Sequence, residues 1–353
     1  MKRIGFLYER ITDPENIKRA IIETAKGKKY PRRFKRYIRK ADYYAEKVKE
    51  ILDSGDYSVL GNDREFDLEE GYPRKLRHIQ APRFFPDQII HRAVCNIIEP
   101  IILKGRDKHS HCAIKGRGAY SAFKDIRNSL RKYPKDKWCL KADISKFYPS
   151  IDRETVFAKL KTKIKDEKVL ALCHAIIFQA KGTGLPIGYA TSPRFAEMLL
   201  ESTDHAIREK LGIKCYCRYA DDMVIRCANK RRLKEVLGEI EKRLAEIDLR
   251  LKGSHQLFDI RRCPIDFVGY RYWHGGYVRI RKHIFSAILS LVHRVRKIGH
   301  ATISQCESYL SRMAMFLRCG SRDYYLNEIR PCLPTGRAKS IISHFAKRKM
   351  ALI

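Results

Sequence analysis

Arg218-Tyr219-Ala220-Asp221-Asp222 is the stretch that decides the fold of this chain. Cys215-Tyr216-Cys217 stands before it and Met223-Val224-Ile225 after it, with no Gly or Pro in the run. Apolar or β-prone residues on both sides of an acidic pair predict two strands joined by a tight turn, with the acids at the turn. Adjacent carboxylates repel each other and lose hydration when buried, so packing alone rarely keeps them between strands. A solvent-exposed hairpin turn and a site for a hard cation such as Mg²⁺ are both open at this point.

A second acidic position favours the metal site. Residues 137–143, KWCLKAD, read as a strand that ends at Asp143, and Phe147 and Tyr148 follow shortly after. An Asp at a strand end, brought next to an Asp-Asp hairpin, makes a site for two metal ions. Two divalent ions about 3.5–4 Å apart clamp the attacking and leaving oxygens of a phosphoryl displacement.

Four segments, in order, resemble the motifs of reverse transcriptases. Residues 143–148, DISKFY, resemble motif A, and residues 184–193, GLPIGYATSP, resemble motif B. Residues 219–222, YADD, resemble motif C, and residues 267–270, FVGY, resemble the primer-grip segment that follows motif D. The resemblance extends roughly from Arg74 to Tyr277.

The resemblance implies an α+β fold of the right-hand polymerase type, with an antiparallel palm sheet, fingers and a helical thumb. On this basis we expect a basic helical extension over residues 1–70, fingers over 71–135, a palm over 136–277 and a helical thumb over 278–353.

The charge balance points to a polyanionic partner. Lys and Arg number 74 against 40 acidic residues, a formal net charge of +34. A soluble domain needs only a small net charge, so this excess favours nucleic acid over a merely solvated surface. The partners that the resemblance implies are template RNA, a DNA or RNA primer and dNTPs.

The sequence also argues against a membrane or secreted protein. No apolar run reaches the length of a membrane span, no secretory apolar segment follows Met1, and eleven scattered cysteines form no paired CxxC units. We therefore expect a cytoplasmic protein with reduced thiols, and the resemblance implies that it is bacterial or phage-encoded.

The resemblance implies two metal ions, Mg²⁺ with Mn²⁺ as the alternative. Its metal ligands map onto Asp143, Asp221 and Asp222, with the backbone of Ile144 beside them. The residues expected at the incoming dNTP are Arg77, Tyr148, Ile187, Gly188 and Lys252. The residues expected at template or primer are Lys115, Arg117, Phe267, Gly269 and Tyr270.

Several of these roles have plain structural alternatives. Arg77 would clamp the triphosphate with its forked guanidinium, with Arg74 as second candidate and a surface arginine as the alternative. The Tyr148 ring would exclude a ribonucleotide 2′-hydroxyl, or it is a core aromatic. Lys252 would protonate the departing pyrophosphate, with His255 as rival and an ordinary strand-end lysine as the alternative. Lys115 and Arg117 stand in a Gly-rich basic turn that would contact template or phosphate, or be merely solvated.

Motif B differs from that of most reverse transcriptases at Ile187. Most reverse transcriptases have Gln before the motif's Gly, whereas this chain has Ile187 before Gly188. A branched apolar residue there resembles the diversity-generating retroelement enzymes, which copy RNA with errors at adenines, and which would imply a small basic accessory protein. Ser192-Pro193, however, is the ending found in other reverse transcriptases, where that subfamily has Ser-Gln.

Three functional interpretations follow. The first is an RNA-directed DNA polymerase, error-prone, of a diversity-generating retroelement. The second is an antiviral-defence or other retroelement reverse transcriptase. The third is a non-catalytic RNA-binding protein on the same fold, against which the three motif acids argue.

A basic stretch with interleaved aromatics precedes the motifs. It contains Tyr30, Phe34 and Tyr37 among lysines and arginines. Base stacking with phosphate neutralisation and an amphipathic helix with a basic solvated face explain it equally well.

Overall fold

The computed structural model describes residues 3–26, 28, 31–71, 74–320 and 322–351. The chain divides into two compact units. The first comprises Met1–Ala122 with Leu140–Leu257, and the second comprises Phe123–Cys139 with Phe258–Ile353.

Helices open the first unit: α1 (Tyr8–Thr12), α2 (Pro14–Ala25), α3 (Pro31–Arg39) and α4 (Ala41–Ser54). Helix α2 begins as its sequence predicts, because the Asp13 side chain accepts a hydrogen bond of 3.0 Å from the Glu15 amide. Pro14 fills the first helical position, where no amide donor is needed.

A hairpin follows, formed by antiparallel strands β1 (Arg64–Glu70) and β2 (Lys75–Ala81). A π-helical turn, Phe84–Gln88, then leads into α5 (Ile89–Ile102), whose residues are mostly buried against α1 and α2. The apolar content of α5 makes it the central helix of this part of the first unit.

The aromatic residues of the basic N-terminal stretch have packing partners. The rings of Phe34 and Phe84 lie 4.5 Å apart, and the Tyr37 ring lies 4.5 Å from Tyr44. These contacts favour the amphipathic-helix interpretation for Phe34 and Tyr37, while Tyr30 lies outside the described residues.

The sheet that contains the motif acids has four strands, in the order β4-β5-β3-β6. Their bounds are β3 (Trp138–Asp143), β4 (Cys215–Tyr219), β5 (Asp222–Cys227) and β6 (Gln256–Asp259). Strands β4 and β5 are antiparallel, and Tyr219 pairs with Asp222 across a two-residue turn. The predicted tight turn with the acids at its end is therefore confirmed.

The remaining helices have the following bounds: α6 (Ala119–Lys132), α7 (Phe147–Ser150), α8 (Arg153–Lys163), α9 (Glu167–Phe178), α10 (Ser192–Leu199), α11 (Glu201–His205) and α12 (Lys230–Ala245). A second π-helical turn, Ala206–Lys210, follows α11. Helix α12 packs against β5 through buried leucine, valine and isoleucine side chains.

The second unit contains an antiparallel sheet of β7 (Ile265–Phe267), β8 (Tyr270–Tyr272) and β9 (Val278–Ile280). The sequence predicts a hairpin from Phe267 to Tyr272 with Gly275-Gly276 as its turn; the turn at Gly275-Gly276 is confirmed, between β8 and β9, but residues 267–272 contain a turn of their own. Val268 and Gly269, both with positive φ, turn the chain between β7 and β8, and Gly275-Gly276 serves the next connection.

Helices complete the second unit: α13 (Lys282–Ile298), α14 (Ile303–Phe316), α15 (Arg322–Tyr324) and α16 (Thr335–Ala351), with a π-helical turn at Tyr325–Ile329. The expected α+β class with antiparallel sheets is confirmed. Across the described residues, no helix combines the length and apolar character needed to span a membrane.

Candidate active site

The loop after β3 lies between two other segments of the site. The Ile144 amide donates to the Asp221 carbonyl at 3.3 Å, and the Ser145 amide donates to the Arg250 carbonyl at 2.8 Å. The Lys252 amide donates to the Asp143 carbonyl at 2.8 Å. The fully buried Ile144 side chain anchors this loop. Motif A, motif C and the segment 250–252 are thus held together by backbone hydrogen bonds.

The Asp-Asp turn is held in an unusual backbone conformation. Ala220 has a φ of 53°, which L-residues other than Gly adopt at a cost of roughly 1–2 kcal/mol. The Arg218 guanidinium donates a 2.9 Å hydrogen bond to the Ala220 carbonyl and so supports the strained turn. Such strain persists only where surrounding contacts enforce it, and it is concentrated at functional sites.

Arg218 belongs to a buried ionic network for which the sequence analysis assigned no role. Its guanidinium makes two hydrogen bonds to Asp204, at 2.8 and 2.6 Å, and contacts Glu197 at 2.9 Å. Glu197 in turn contacts Arg106 at 2.6 Å, and Tyr216 donates to Asp204. Burial alone lowers the pKa of Arg218, but Asp204 and Glu197 raise it well above its ordinary value. The one signal available in the sequence was an arginine inside an otherwise apolar strand.

The motif acids repel each other. Burial, the charge of Asp143 and, more weakly, the charge of Asp222 raise the pKa of Asp221 to about 6. The Lys252 ammonium forms an ion pair with the Asp143 carboxylate. A lysine therefore supplies part of the positive charge that this cluster requires.

These residues fit a divalent metal. Carboxylate oxygens are the preferred ligands of Mg²⁺, and a cation would relieve the repulsion that raises the Asp221 pKa. Asp143, Asp221 and Asp222 are the side chains that could hold it.

Motif B contacts both the β2 strand and motif A. Gly188 has a φ of 127°, and a Cβ there would lie 2.2 Å from the Gln80 carbonyl oxygen. The Gln80 amide donates to the Ile187 carbonyl at 2.9 Å, and the Leu185 amide donates to the Tyr148 carbonyl at 2.9 Å. The close approach of β2 thus gives a structural reason for a glycine at position 188, besides the role at the incoming dNTP that the resemblance implies. The Ile187 side chain is half-buried.

Tyr148 and Arg77 lie on the segments that border motif B. The Tyr148 ring is half-buried, 5.3 Å from the Phe147 ring, and its burial raises the pKa of its hydroxyl. Arg77 is exposed on β2, opposite Leu68 of β1. Because strand side chains alternate, Arg77 shares a face with Ile79. A Cβ on Gly188 would lie 3.3 Å from an Ile79 methyl carbon, so this face of β2 borders motif B.

The basic turn gives its two candidates different surroundings. Arg117 donates to the carbonyls of Asp107 and Ser110, both at 3.0 Å, so it braces the loop. Lys115 is exposed at a cleft of about 860 Å³ within the first unit. The cationic side chains that line this cleft are Arg19, Lys26, Arg92, Lys104, Arg106, Lys115, Arg117 and Arg194.

The three grip residues lie in the second unit. The side chains of Phe267 and Tyr270 are almost fully buried, and the Tyr270 ring packs 4.4 Å from Phe123. A Cβ on Gly269 would lie 2.5 Å from the Met315 methyl group. Gly269 is buried as well, so all three grip residues are buried, and Val268 between them is half-buried.

Comparison with known proteins identifies related sequences. A family model described as reverse transcriptase (RNA-dependent DNA polymerase) matches residues 73–271, more than half of the chain. The retron Ec73 reverse transcriptase of Escherichia coli is 31% identical over 144 residues, which cover 37% of this chain and 45% of that protein. The group II intron-encoded protein LtrA of Lactococcus lactis subsp. cremoris is 27% identical over 171 residues, covering 45% of this chain and 28% of that protein.

A solved structure gives the same fold at low identity. Telomerase from Candida albicans, in complex with a fragment of telomeric RNA, superposes with a TM-score of 0.52 and 12% sequence identity. The match covers 86% of this chain and 61% of that one. Each of these matches spans less than two thirds of the relative's own length.

Proposed function

Because the chain belongs to the reverse transcriptase family, we propose that it is an RNA-directed DNA polymerase that makes DNA on an RNA template. The observation that carries this proposal is the meeting of Asp143 with the Asp221-Asp222 turn at one end of the sheet. Its partners would be template RNA, a DNA or RNA primer and dNTPs. A net charge of +34 suits such polyanions, and we place the reaction in the cytoplasm of a bacterial cell.

Asp143, Asp221 and Asp222 would hold two Mg²⁺ ions, or Mn²⁺, beside the backbone of Ile144. When bound, such ions activate a hydroxyl for attack on a phosphate and stabilise the charge of the leaving group.

The other side chains would orient the nucleotide. The Arg77 guanidinium would pair with triphosphate oxygens, and the Tyr148 ring would exclude a 2′-hydroxyl. Lys252 holds its proton on Nζ next to Asp143, from where it could pass that proton to pyrophosphate once the carboxylate has another cation. Lys115 and Arg117 of the basic turn would contact template or primer.

Replacement of the acids tests the metal assignment. We expect Asp221→Asn and Asp222→Asn each to abolish extension of a DNA primer annealed to RNA, because neutral amides cannot balance a divalent cation. Asp53→Asn is the matched control, an exposed acid of α4 paired with Lys49 on the surface. Full activity in either motif variant would remove these residues from the mechanism.

Ile187 supports assignment to an error-prone, diversity-generating retroelement, with a small basic accessory protein as a further partner. Its branched side chain cannot supply the amide hydrogen bonds of a Gln to the nucleotide and template. One hydrogen bond is worth about 0.5–1.5 kcal/mol, or roughly a twofold to tenfold change in discrimination. This is too little to make adenine special by itself, so template structure or a partner must contribute.

An error spectrum tests this assignment. We expect Ile187→Gln to lower misincorporation opposite template adenine more than opposite the other bases. Wild type and variant are compared by sequencing the DNA made from one defined RNA. Unchanged adenine errors with normal extension would remove Ile187 from the fidelity mechanism and count against the diversity-generating assignment.

The similarity to a retron enzyme favours a second candidate, a reverse transcriptase of another retroelement, including one that serves antiviral defence. Ser192-Pro193 in motif B agrees with this candidate. Sequencing the DNA made in cells from the cognate RNA separates the two, because one fixed product favours the second candidate and adenine-directed changes favour the first. A non-catalytic RNA-binding role would leave no metal-dependent dNTP incorporation at all.

A further inference from the structure

The second unit contains an aromatic cavity that the proposed reaction does not use. Its volume is about 530 Å³, within the range of roughly 300–1,000 Å³ typical of ligand pockets. Its aromatic lining, which we call the ring pocket, consists of Trp273, Tyr277, Phe285, Phe316 and Tyr324.

The rings of the pocket form two groups. Phe285 and Phe316 stack at 5.6 Å with 15° between their planes, and Tyr324 lies 5.6 Å from Phe285. Trp273 and Tyr277 form the second group, with ring centres 5.5 Å apart, and Tyr277 is 52% exposed. The exposed Tyr277 ring is therefore a part of the lining that a flat ligand can reach from solvent.

Two arginines face each other at the pocket. Arg271 of β8 and Arg279 of β9 are directly opposite in the antiparallel register, a placement that destabilises a strand pair through like-charge repulsion. Their guanidinium groups lie 5.6 Å from the Trp273 ring centre and 5.0 Å from the Tyr277 ring centre. Lys282 adds a third cation to the lining.

No acid compensates this charge within the described part of the chain. No acidic residue lines the pocket, and neither arginine forms an ion pair there. Asp266 is opposite Arg271 on β7, but its carboxylate pairs with Arg281 at 2.5 Å. An anionic ligand would relieve the repulsion that the fold retains.

We propose that the ring pocket binds an unpaired base of single-stranded RNA, with the flanking phosphates held by Arg271 and Arg279. Every base has a ring face that stacks on aromatic side chains, and splayed-out bases are the usual means by which proteins read RNA. A guanidinium matches phosphate with two parallel donors. A base inside a duplex is already stacked and paired and cannot enter the pocket, so single strands, loops and ends are the ligands that fit.

Fluorescence binding with the full chain tests the proposal. The probe is an unstructured single-stranded RNA of about ten nucleotides with one central 2-aminopurine. We expect binding to quench the 2-aminopurine, and Trp273→Ala and Tyr277→Ala each to weaken binding about fivefold or more and to reduce the quenching. Tyr43→Ala is the matched control, since Tyr43 is an exposed tyrosine of the first unit. Tyr277 is exposed enough for its variant to fold normally, and circular dichroism checks both.

Variants that remove the arginine charges provide a second test of the proposal. Arg271→Ala and Arg279→Ala should each lower the slope of log affinity against log salt by about 0.7, the value for one phosphate contact on a single strand. Lys234→Ala, which removes an exposed cation of α12, is the control and should leave the slope unchanged.

Each remaining outcome overturns the proposal. If the binding of a blunt RNA duplex of equal charge depended equally on the two arginines, they would contact only the sugar-phosphate backbone. An acidic peptide that binds more tightly than the RNA, with the same dependence on Trp273, would identify a protein partner. Equal RNA affinity and quenching in wild type and both ring variants would show that no base enters the pocket.

Discussion

Arg218→Met is expected to destabilise the first unit strongly, because Arg218 is the cation at the centre of a buried network. Its side chain is 1% exposed, and those of Asp204 and Glu197 are 0% and 2% exposed. Met keeps much of the volume but removes the charge and all of the guanidinium donors. Glu197 retains Arg106 as a partner, whereas Asp204 keeps the Tyr216 hydroxyl and loses its ion pair.

The size of the destabilisation follows from the Asp204 carboxylate, which is left buried without a cation. Removal of one partner from a buried ion pair costs about 3–5 kcal/mol. One kcal/mol lowers the unfolding midpoint by about 2–4 °C in a domain of this size, so the variant should melt about 6–20 °C lower. The turn also loses the hydrogen bond to the Ala220 carbonyl, so extension should fall even at temperatures where the variant is folded.

Thermal unfolding followed by circular dichroism measures the effect, with a matched surface pair as control. Arg232→Met breaks the exposed ion pair with Glu235 and should cost no more than about 1 kcal/mol. The double variant Arg218→Met/Asp204→Asn should recover part of the lost stability, because it also removes the uncompensated charge of Asp204. The reasoning would be refuted if Arg218→Met melted within a few degrees of Arg232→Met.

Three further predictions concern the motif residues. Gly188→Ala should lower the unfolding midpoint by several degrees, because its Cβ would lie 2.2 Å from the Gln80 carbonyl at a φ of 127°; an unchanged melting curve would contradict this. The pKa of Asp221 in the folded protein is raised to about 6, so the fold favours the protonated carboxyl. The stability that this gives is fully present below the pKa of Asp221 in the unfolded chain and is lost as pH rises through about 6. Asp221→Asn should therefore raise the melting temperature of metal-free protein at neutral pH but not at pH values below the ordinary Asp pKa, as a calorimetric pH series would show. Lys252→Met should tighten Mn²⁺ binding, measured by electron paramagnetic resonance, because the ammonium no longer competes for Asp143; weaker binding would argue against that competition.

The sequence determined the identity of the site through short-range patterns. A tight turn between two β-prone runs depends only on the residues in and beside it, so the Asp221-Asp222 hairpin was predictable. The order of the four motifs indicated the family that the match over residues 73–271 identifies. The Asp13-Pro14 helix start is equally local, since a cap bonds to an amide two residues away.

Only the tertiary structure decided which residues support that site. Arg218 pairs with Glu197, which also pairs with Arg106, a residue far from both along the chain, and no local pattern encodes such a network. Gly188 is required by the backbone of Gln80, more than a hundred residues earlier. The opposition of Arg271 and Arg279 likewise depends on the register of two short strands. Propensity and turn chemistry act between near neighbours, whereas burial, ion pairing and close backbone approach depend on segments that only folding brings together.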